Sequence, residues 1–216
     1  MNCLIIAATA REIAPFLDQY RHTPPEWTAG IDVLIAGIGL TATTYHLTRQ
    51  LGLKRPDLVI QAGIAGSFDR EIPPGTVVAV GQDAIADESV VEAGRLRTLS
   101  DLGLVAPDQH PYKNGWLVNP DKKIAADHQL RAVKAISVNQ ITTDPRMIVL
   151  YEETFSPAIE SMEGAALHYV CLSENIPFLQ LRSISNYIGE RDKTKWRMPA
   201  AIQNLNKTLV DLLQTL

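Results

Sequence analysis

Two glutamates and an asparagine, far apart in the chain, are of types suited to acid–base chemistry and polar recognition. They are Glu12, Glu163 and Asn186. Glu163 stands in ESMEGAA (160–166), between a short apolar stretch and a helical pattern. A carboxylate at a strand-to-helix turn lies in the positive field of the helix N-terminus, which favours its ionised form. An ionised carboxylate is a bidentate acceptor, matched to vicinal hydroxyls such as those of ribose. An ordinary first-turn glutamate capped by Ser161 would read the same way. Asn186 follows an apolar run in LRSISNYIGERDKTKW (181–196). Its amide both donates and accepts, which suits the edge of a heterocycle, though a turn-forming asparagine has the same appearance. Glu12 comes a few residues after the apolar run 4–8. There it can serve as a general base toward water, or simply open a helix.

Other chemistries find less support. GIGLTATT (37–44) is a glycine-rich turn with Ala42 at the third fingerprint position, a form that dinucleotide sites tolerate. It follows the second strand, however, and the next strand ends in Gly63 rather than an acid. QAGIAGSFD (61–69) is a second small-residue turn, open to close backbone approach by a ligand or to none. The histidines form no HExxH and no cluster with cysteine, so no metal site and no cofactor is expected. No GxSxG and no Walker loop is present. Cys3 and Cys171 read as buried small hydrophobes. A net charge of −4 offers no basic excess for phosphates, which argues against a nucleic-acid partner. The N-terminal apolar run is too short to span a membrane and meets Arg11 and Glu12, so an intracellular, cytoplasmic protein is expected.

The elements that must position these residues alternate. Strands are predicted over 4–8, 33–38, 58–62, 135–141, 159–162 and 178–184. Helices are predicted over 11–20, 42–51, 164–173 and 200–216, the last with Ile202, Leu205, Leu209 and Leu212 at helical spacing. Such alternation argues for an α/β fold with a mainly parallel sheet. The stretch 88–116 is irregular and is expected to leave the sheet as a long loop or an oligomer contact. With 216 residues, of which 46% are hydrophobic, one domain with one substantial core is expected. In such sheets ligands bind beyond the carboxyl ends of the strands, where the candidate residues cluster.

The order of these segments carries a resemblance. IIAATAREI, AGIG, QAGIAGS, SMEGAALHYVC and LRSISN, spread over nearly the whole chain, resemble the nucleoside phosphorylase and nucleosidase superfamily. Within it the chain is similar to the methylthioadenosine/S-adenosylhomocysteine nucleosidases and, through SISNYIGERDKTKW, more so to the futalosine hydrolases. The resemblance implies a single nucleosidase domain over 1–216, a three-layer α/β/α fold with a central mixed, mainly parallel sheet. It also implies a purine nucleoside as substrate, a homo-oligomer and no cofactor. By the same resemblance Glu12 activates water, Met162 and Glu163 lie at the ribose, Arg182 orients the site, and Asn186 stands where adenine-directed nucleosidases carry Asp. Ile64 replaces a serine of that pattern, which removes a polar contact and argues against phosphate capture. The base-stacking aromatic of the pattern has no match, and Tyr187 or Phe68 is expected in its place.

N-glycosidic cleavage builds positive charge on the sugar and negative charge on the base, and both ends need stabilisation. Asn186 can donate a hydrogen bond but not a proton, which suits a 6-oxopurine whose charge spreads over N7 and O6; the same amide can pair with adenine. Futalosine carries a 5′-side carboxylate. Of the nearby cations Arg11, Arg191, Lys193, Lys195 and Arg197, the expected partner is Arg191, although a solvated charged loop reads alike.

Overall fold

A computed structural model describes residues 1–22 and 28–216. In chain order the elements are β1 (Cys3–Ala7), α1 (Ala14–His22), β2 (Ile31–Ile35), α2 (Leu40–Leu53), β3 (Leu58–Ser67), β4 (Val77–Ile85), β5 (Ser89–Glu92) and β6 (Arg95–Thr98). They continue with β7 (Leu117–Val118), α3 (Lys123–Asp127), β8 (Ala132–Ser137), α4 (Pro145–Phe155), β9 (Ile159–Ser161), α5 (Gly164–Ser173), β10 (Phe178–Tyr187) and α6 (Met198–Leu213).

The main sheet is mixed and mainly parallel. β1 pairs in parallel with β2 and β3, β3 with β10, and β8 with β4 and β9. Antiparallel pairs join β4 to β10, β3 to β9 and β4 to β7. Following these pairs, β3, β10, β4, β8 and β9 close on themselves, with β1 and β2 continuing the sheet from β3. Alternation along β1 supplies both outer layers. Cys3, Ile5 and Ala7 pack with Phe16 of α1 and Leu205 and Leu209 of α6, while Leu4 and Ile6 pack with Leu47 and Leu51 of α2 and Leu167 and Val170 of α5. The result is the expected three-layer α/β/α arrangement. Each fully buried Leu or Ile contributes about 1.5–3 kcal/mol to it.

The departures from sequence expectation have physical causes. β3 and β10 run further than 58–62 and 178–184, because they go on pairing with each other and with β9 and β4 as the sheet closes. The apolar pattern leaves Val77–Ile85 unassigned, since Gly81, Gln82 and Asp83 interrupt it. In the fold β4 carries a register shift there and Asp83 is wholly buried. The strand predicted over 135–141 begins and ends earlier. Helix α4, also unassigned, starts on an Asp144 side chain accepting from Arg146 N at 2.8 Å, with Pro145 in its first turn. The excursion 88–116 does leave the main sheet, but it is not all irregular. Strands β5 and β6 form a hairpin on their own, turned by Ala93 and Gly94, both at positive φ.

Helix α5 begins on β4 and β10 with little room. Gly164 N donates to Ser161 Oγ at 3.2 Å and Ala165 N to Ser137 Oγ at 2.9 Å, so two hydroxyls satisfy the helix start. A Cβ on Gly164 would collide with the Gln180 amide and the Asp83 carboxylate, both fully buried. Gly164→Ala is therefore expected to destabilise the protein by about 1–3 kcal/mol, read as a lower urea midpoint at unchanged m-value.

Candidate active site

Glu12 lies in the turn between β1 and α1 and is 9% exposed. Its Oε2 accepts from Thr9 N and Thr9 Oγ1, both at 3.0 Å, and its Oε1 accepts from Ile64 N at 3.1 Å. The Thr-x-x-Glu spacing thus closes one half of a capping box. From the far end of the chain, Asn206 of α6 holds the same turn: its Nδ2 donates to Glu12 O at 2.8 Å and its Oδ1 accepts from Phe16 N at 3.0 Å. Burial raises the Glu12 carboxyl above its ordinary range. The Arg182 charge and the Ile64 amide pull it down, and the Glu163 charge adds to the rise.

Glu163 stands at the start of α5 and is 5% exposed. Its Oε1 accepts from Gly39 N at 3.2 Å and its Oε2 pairs with Arg182 Nη1 at 3.3 Å. Gly39 has φ +91°, a conformation that favours glycine, so the 37–44 turn serves to aim a backbone N–H at Glu163. The same Arg182 Nη1 donates to Ile64 O at 3.3 Å, and Nη2 donates to Gln61 Oε1 at 2.9 Å. With the Gln180 amide oriented as its neighbours demand, its oxygen accepts from Arg182 Nε at 3.1 Å. Its nitrogen then donates to Asp83 Oδ2 at 3.2 Å and to His168 Nε2 at 2.8 Å. His168 Nδ1 donates to Leu117 O at 2.8 Å, so its ring is neutral, and burial lowers its pKa to about 4. Burial raises Asp83 to about 7 against the pull of Ser137, Arg182 and Gln180. The Ile64 peptide thus ties the two carboxylates together, its N–H on Glu12 and its C=O on the cation that pairs Glu163. Gly63 makes the room, because a Cβ there would collide with Arg182 Nη1 and come within 3.1 Å of Glu12 Oε1.

A cavity of about 300 Å³ opens on this arrangement. It brings together Glu12, Ile64, Met162, Glu163, Asn186 and Arg191. Asn186 Nδ2 donates to Tyr187 O at 2.9 Å, and Oδ1 accepts from Ser185 Oγ at 2.7 Å. The carbonyl accepts only, so the amide orientation is fixed, and one N–H of Nδ2 remains for a ligand. Arg191 is exposed at the cavity rim and makes no ion pair among the described residues, whereas Lys195 pairs with Glu190 at 2.8 Å.

Two sequence-derived placements need correction. Tyr187 does not line the cavity. Strand alternation turns it away from Asn186, its hydroxyl donates to Arg70 O at 3.3 Å, and the Arg70 guanidinium lies 4.4 Å over its ring. Phe68 packs instead into the cluster of Ile136, Tyr151 and Phe155. Arg182, expected to orient the site, is fully buried beneath the cavity and pairs there with Glu163. Residues that the sequence reading passed over also belong to the site. Trp196, half-buried with Nε1 donating to Glu190 O at 3.0 Å, forms a wall with Ile188, Met198 and Ile202. Asn206, Gln61 and Gln180 position the carboxylates and their cation. Nothing in local sequence distinguishes such polar residues, since their partners lie far away in the chain.

No helix among the described residues is long and apolar enough to cross a membrane. The family described as Phosphorylase superfamily matches residues 4–214. A futalosine hydrolase of Streptomyces coelicolor is 30% identical over 87% of this chain and 80% of its own length. A 5′-methylthioadenosine/S-adenosylhomocysteine nucleosidase of Tolumonas auensis is 28% identical over 87% of this chain and 84% of its own. The native structure of a futalosine hydrolase of Helicobacter pylori superposes with a TM-score of 0.78 at 19% identity, covering 100% of this chain and 98% of that one, which supports the fold. These similarities bear out the resemblance carried by the sequence motifs. With the family matched almost end to end and two carboxylates converging on one cavity, the chain belongs to the phosphorylase superfamily.

Proposed function

We propose that the chain is a futalosine hydrolase, which splits the N-glycosidic bond of futalosine with water to give hypoxanthine and dehypoxanthine futalosine. The reading places it in menaquinone biosynthesis as a cytoplasmic homo-oligomer, with the whole chain 1–216 as one nucleosidase domain. One observation carries the chemistry: Glu12 and Glu163 face a single cavity that the Asn186 amide also lines. Similarity to futalosine hydrolases supports the choice of substrate.

In this reading Glu163 accepts from the ribose hydroxyls beside Met162 and stabilises positive charge on the sugar as the C1′–N9 bond breaks. Water adds to C1′, and its proton passes to Glu12, which burial makes more basic than an ordinary carboxylate. The departing purine anion is held by the Asn186 Nδ2–H and takes up a proton at nitrogen, so the net change is one water consumed. Ile64 offers its backbone to Glu12 and an apolar side chain to the cavity, which favours water over phosphate as the nucleophile. Arg191 meets the 5′ carboxylate, and Trp196 supplies the aromatic wall.

Release of hypoxanthine from futalosine, followed by chromatography with and without phosphate, tests the reading. Phosphate-dependent cleavage, or cleavage confined to methylthioadenosine, would refute it. Glu12→Gln is expected to lower kcat/KM by about 10²–10⁴-fold. In the unsubstituted enzyme, activity should fall as pH drops through the Glu12 pKa, because the base must be ionised. That limb should lie above the ordinary carboxylate range and vanish from the residual activity of the variant. Asn186→Asp is expected to shift preference toward adenine nucleosides, read as the ratio of kcat/KM for aminofutalosine to that for futalosine. Arg191→Ala should raise KM for futalosine about tenfold and leave inosine, which lacks the carboxylate, unaffected.

A further inference from the structure

His168 has no part in the mechanism above, yet helix α5 buries it completely, among small and apolar neighbours such as Ala165, Leu167 and Cys171. A polar ring in such a place is costly unless both of its nitrogens are engaged. Here both are. Nδ1 lies 2.8 Å from Leu117 O, and a carbonyl can only accept, so Nδ1 carries the proton. In the neutral ring Nε2 is then a lone pair, 2.8 Å from the Gln180 amide nitrogen.

That lone pair helps to decide which way the Gln180 amide faces. One N–H goes to His168 Nε2 and the other to Asp83 Oδ2 at 3.2 Å, which leaves the amide oxygen on Arg182 Nε, 3.1 Å away. The reversed amide would set its oxygen against a lone pair and a carboxylate, and its N–H groups against the guanidinium. Arg182 has no slack to absorb the change. Its Nη2 is held by Gln61 Oε1, and its Nη1 by Ile64 O and the Glu163 carboxylate. His168, Gln180 and Arg182 are each at most 1% exposed, so water cannot stand in for a lost partner. The hydrogen bonds run in one direction, from Arg182 to Gln180, from Gln180 to His168 and from His168 to Leu117, so each polarises the next.

We propose that His168 is a positioning residue for glycosidic cleavage. By accepting from Gln180 it holds Arg182, and through Arg182 it holds the Glu163 carboxylate where that group meets the ribose. The proposal deepens the futalosine hydrolase reading and rests on it. An imidazole suits the position because its rigid ring offers a donor at one end and an acceptor at the other.

His168→Phe keeps a ring against Phe178, whose centroid lies 4.6 Å away, and removes both nitrogens. The experiment measures kcat and KM on inosine and on 2′,3′-dideoxyinosine, which has no hydroxyls for Glu163 to hold. On inosine the variant is expected to lose about 10- to 100-fold in kcat with KM little changed, because a misplaced Glu163 is felt most in the transition state. On the dideoxy nucleoside the loss should be at least about threefold smaller, since the interaction that the variant disturbs is already missing there. Equal losses on the two nucleosides would mean that His168 merely fills the core, and would overturn the proposal, as would an unchanged kcat. Should the variant not fold, the ring-nitrogen NMR shifts of the unsubstituted protein decide. A neutral His168 with a bare Nε2 is expected, and a proton on Nε2 overturns the assignment. An unsubstituted enzyme that releases no base from any nucleoside would instead overturn the nucleosidase reading. An active enzyme with equal losses would leave that reading standing and remove only His168.

Discussion

Glu163 and Arg182 form an ion pair that water barely reaches, with side-chain exposures of 7% and 1%. Two charges in such a place are tolerated only when the geometry is good and every remaining donor has a partner. Around Arg182 this condition is met by residues from four strands. Glu163 follows β9, Ile64 and Gln61 come from β3, and Gln180 from β10 passes the network on to Asp83 of β4 and His168 of α5. The constraint extends to residues with no polar group. Gly63 and Gly164 are glycine because a methyl group at either would occupy space already taken by this network.

The same network explains why the two carboxylates differ. Glu163 pairs with the cation directly, whereas Glu12 feels the Arg182 charge without bonding to it and is hydrogen-bonded by neutral donors. Desolvation is then incompletely offset at Glu12, and its pKa rises. In the proposed mechanism these two acidic groups on one cavity take different parts, Glu163 at the ribose and Glu12 toward the water. Sheet closure makes this possible. β3 and β10 continue as neighbours past the length a flat sheet would need, carrying Ile64 and Asn186 into the cavity wall.

How much of this was legible in the sequence depended on whether the signal was local. The buried strands and amphipathic helices of the outer layers were readable, because apolar periodicity records burial directly. Glu12, Met162, Glu163 and Asn186 were readable as a set because each follows or ends an apolar run, and their order matched a known pattern. Strand β4 was not, since its Gln82 and Asp83 look like a loop until Ser137 and Gln180 are found to satisfy the aspartate. Helix α4 could have been found, because Asp144 followed by Pro145 is a start signal that was passed over. Tyr187 and Phe68 were misplaced for one reason: their candidacy rested on aromatic character, and which face of a strand a residue takes needs the register. Asn206 lies beyond such reading, as its partners sit about 190 positions away.

An amide at the base end of the cavity has a consequence for the sugar end. In the proposed mechanism Asn186 cannot protonate the leaving purine, so bond breaking is driven from the ribose side and by the stability of the purine anion itself. That mechanism requires Glu163 to be held in place, which its buried pair with Arg182 does. An adenine-directed site can rely on a proton donor at N7 and needs less from the sugar end. In this chain the Asn186 amide is fixed by the Tyr187 carbonyl and the Ser185 hydroxyl, leaving one N–H to offer. On the proposed function, selectivity for a weakly basic, charge-delocalising purine is then a property of the whole arrangement, in which the buried ion pair supplies what the amide cannot.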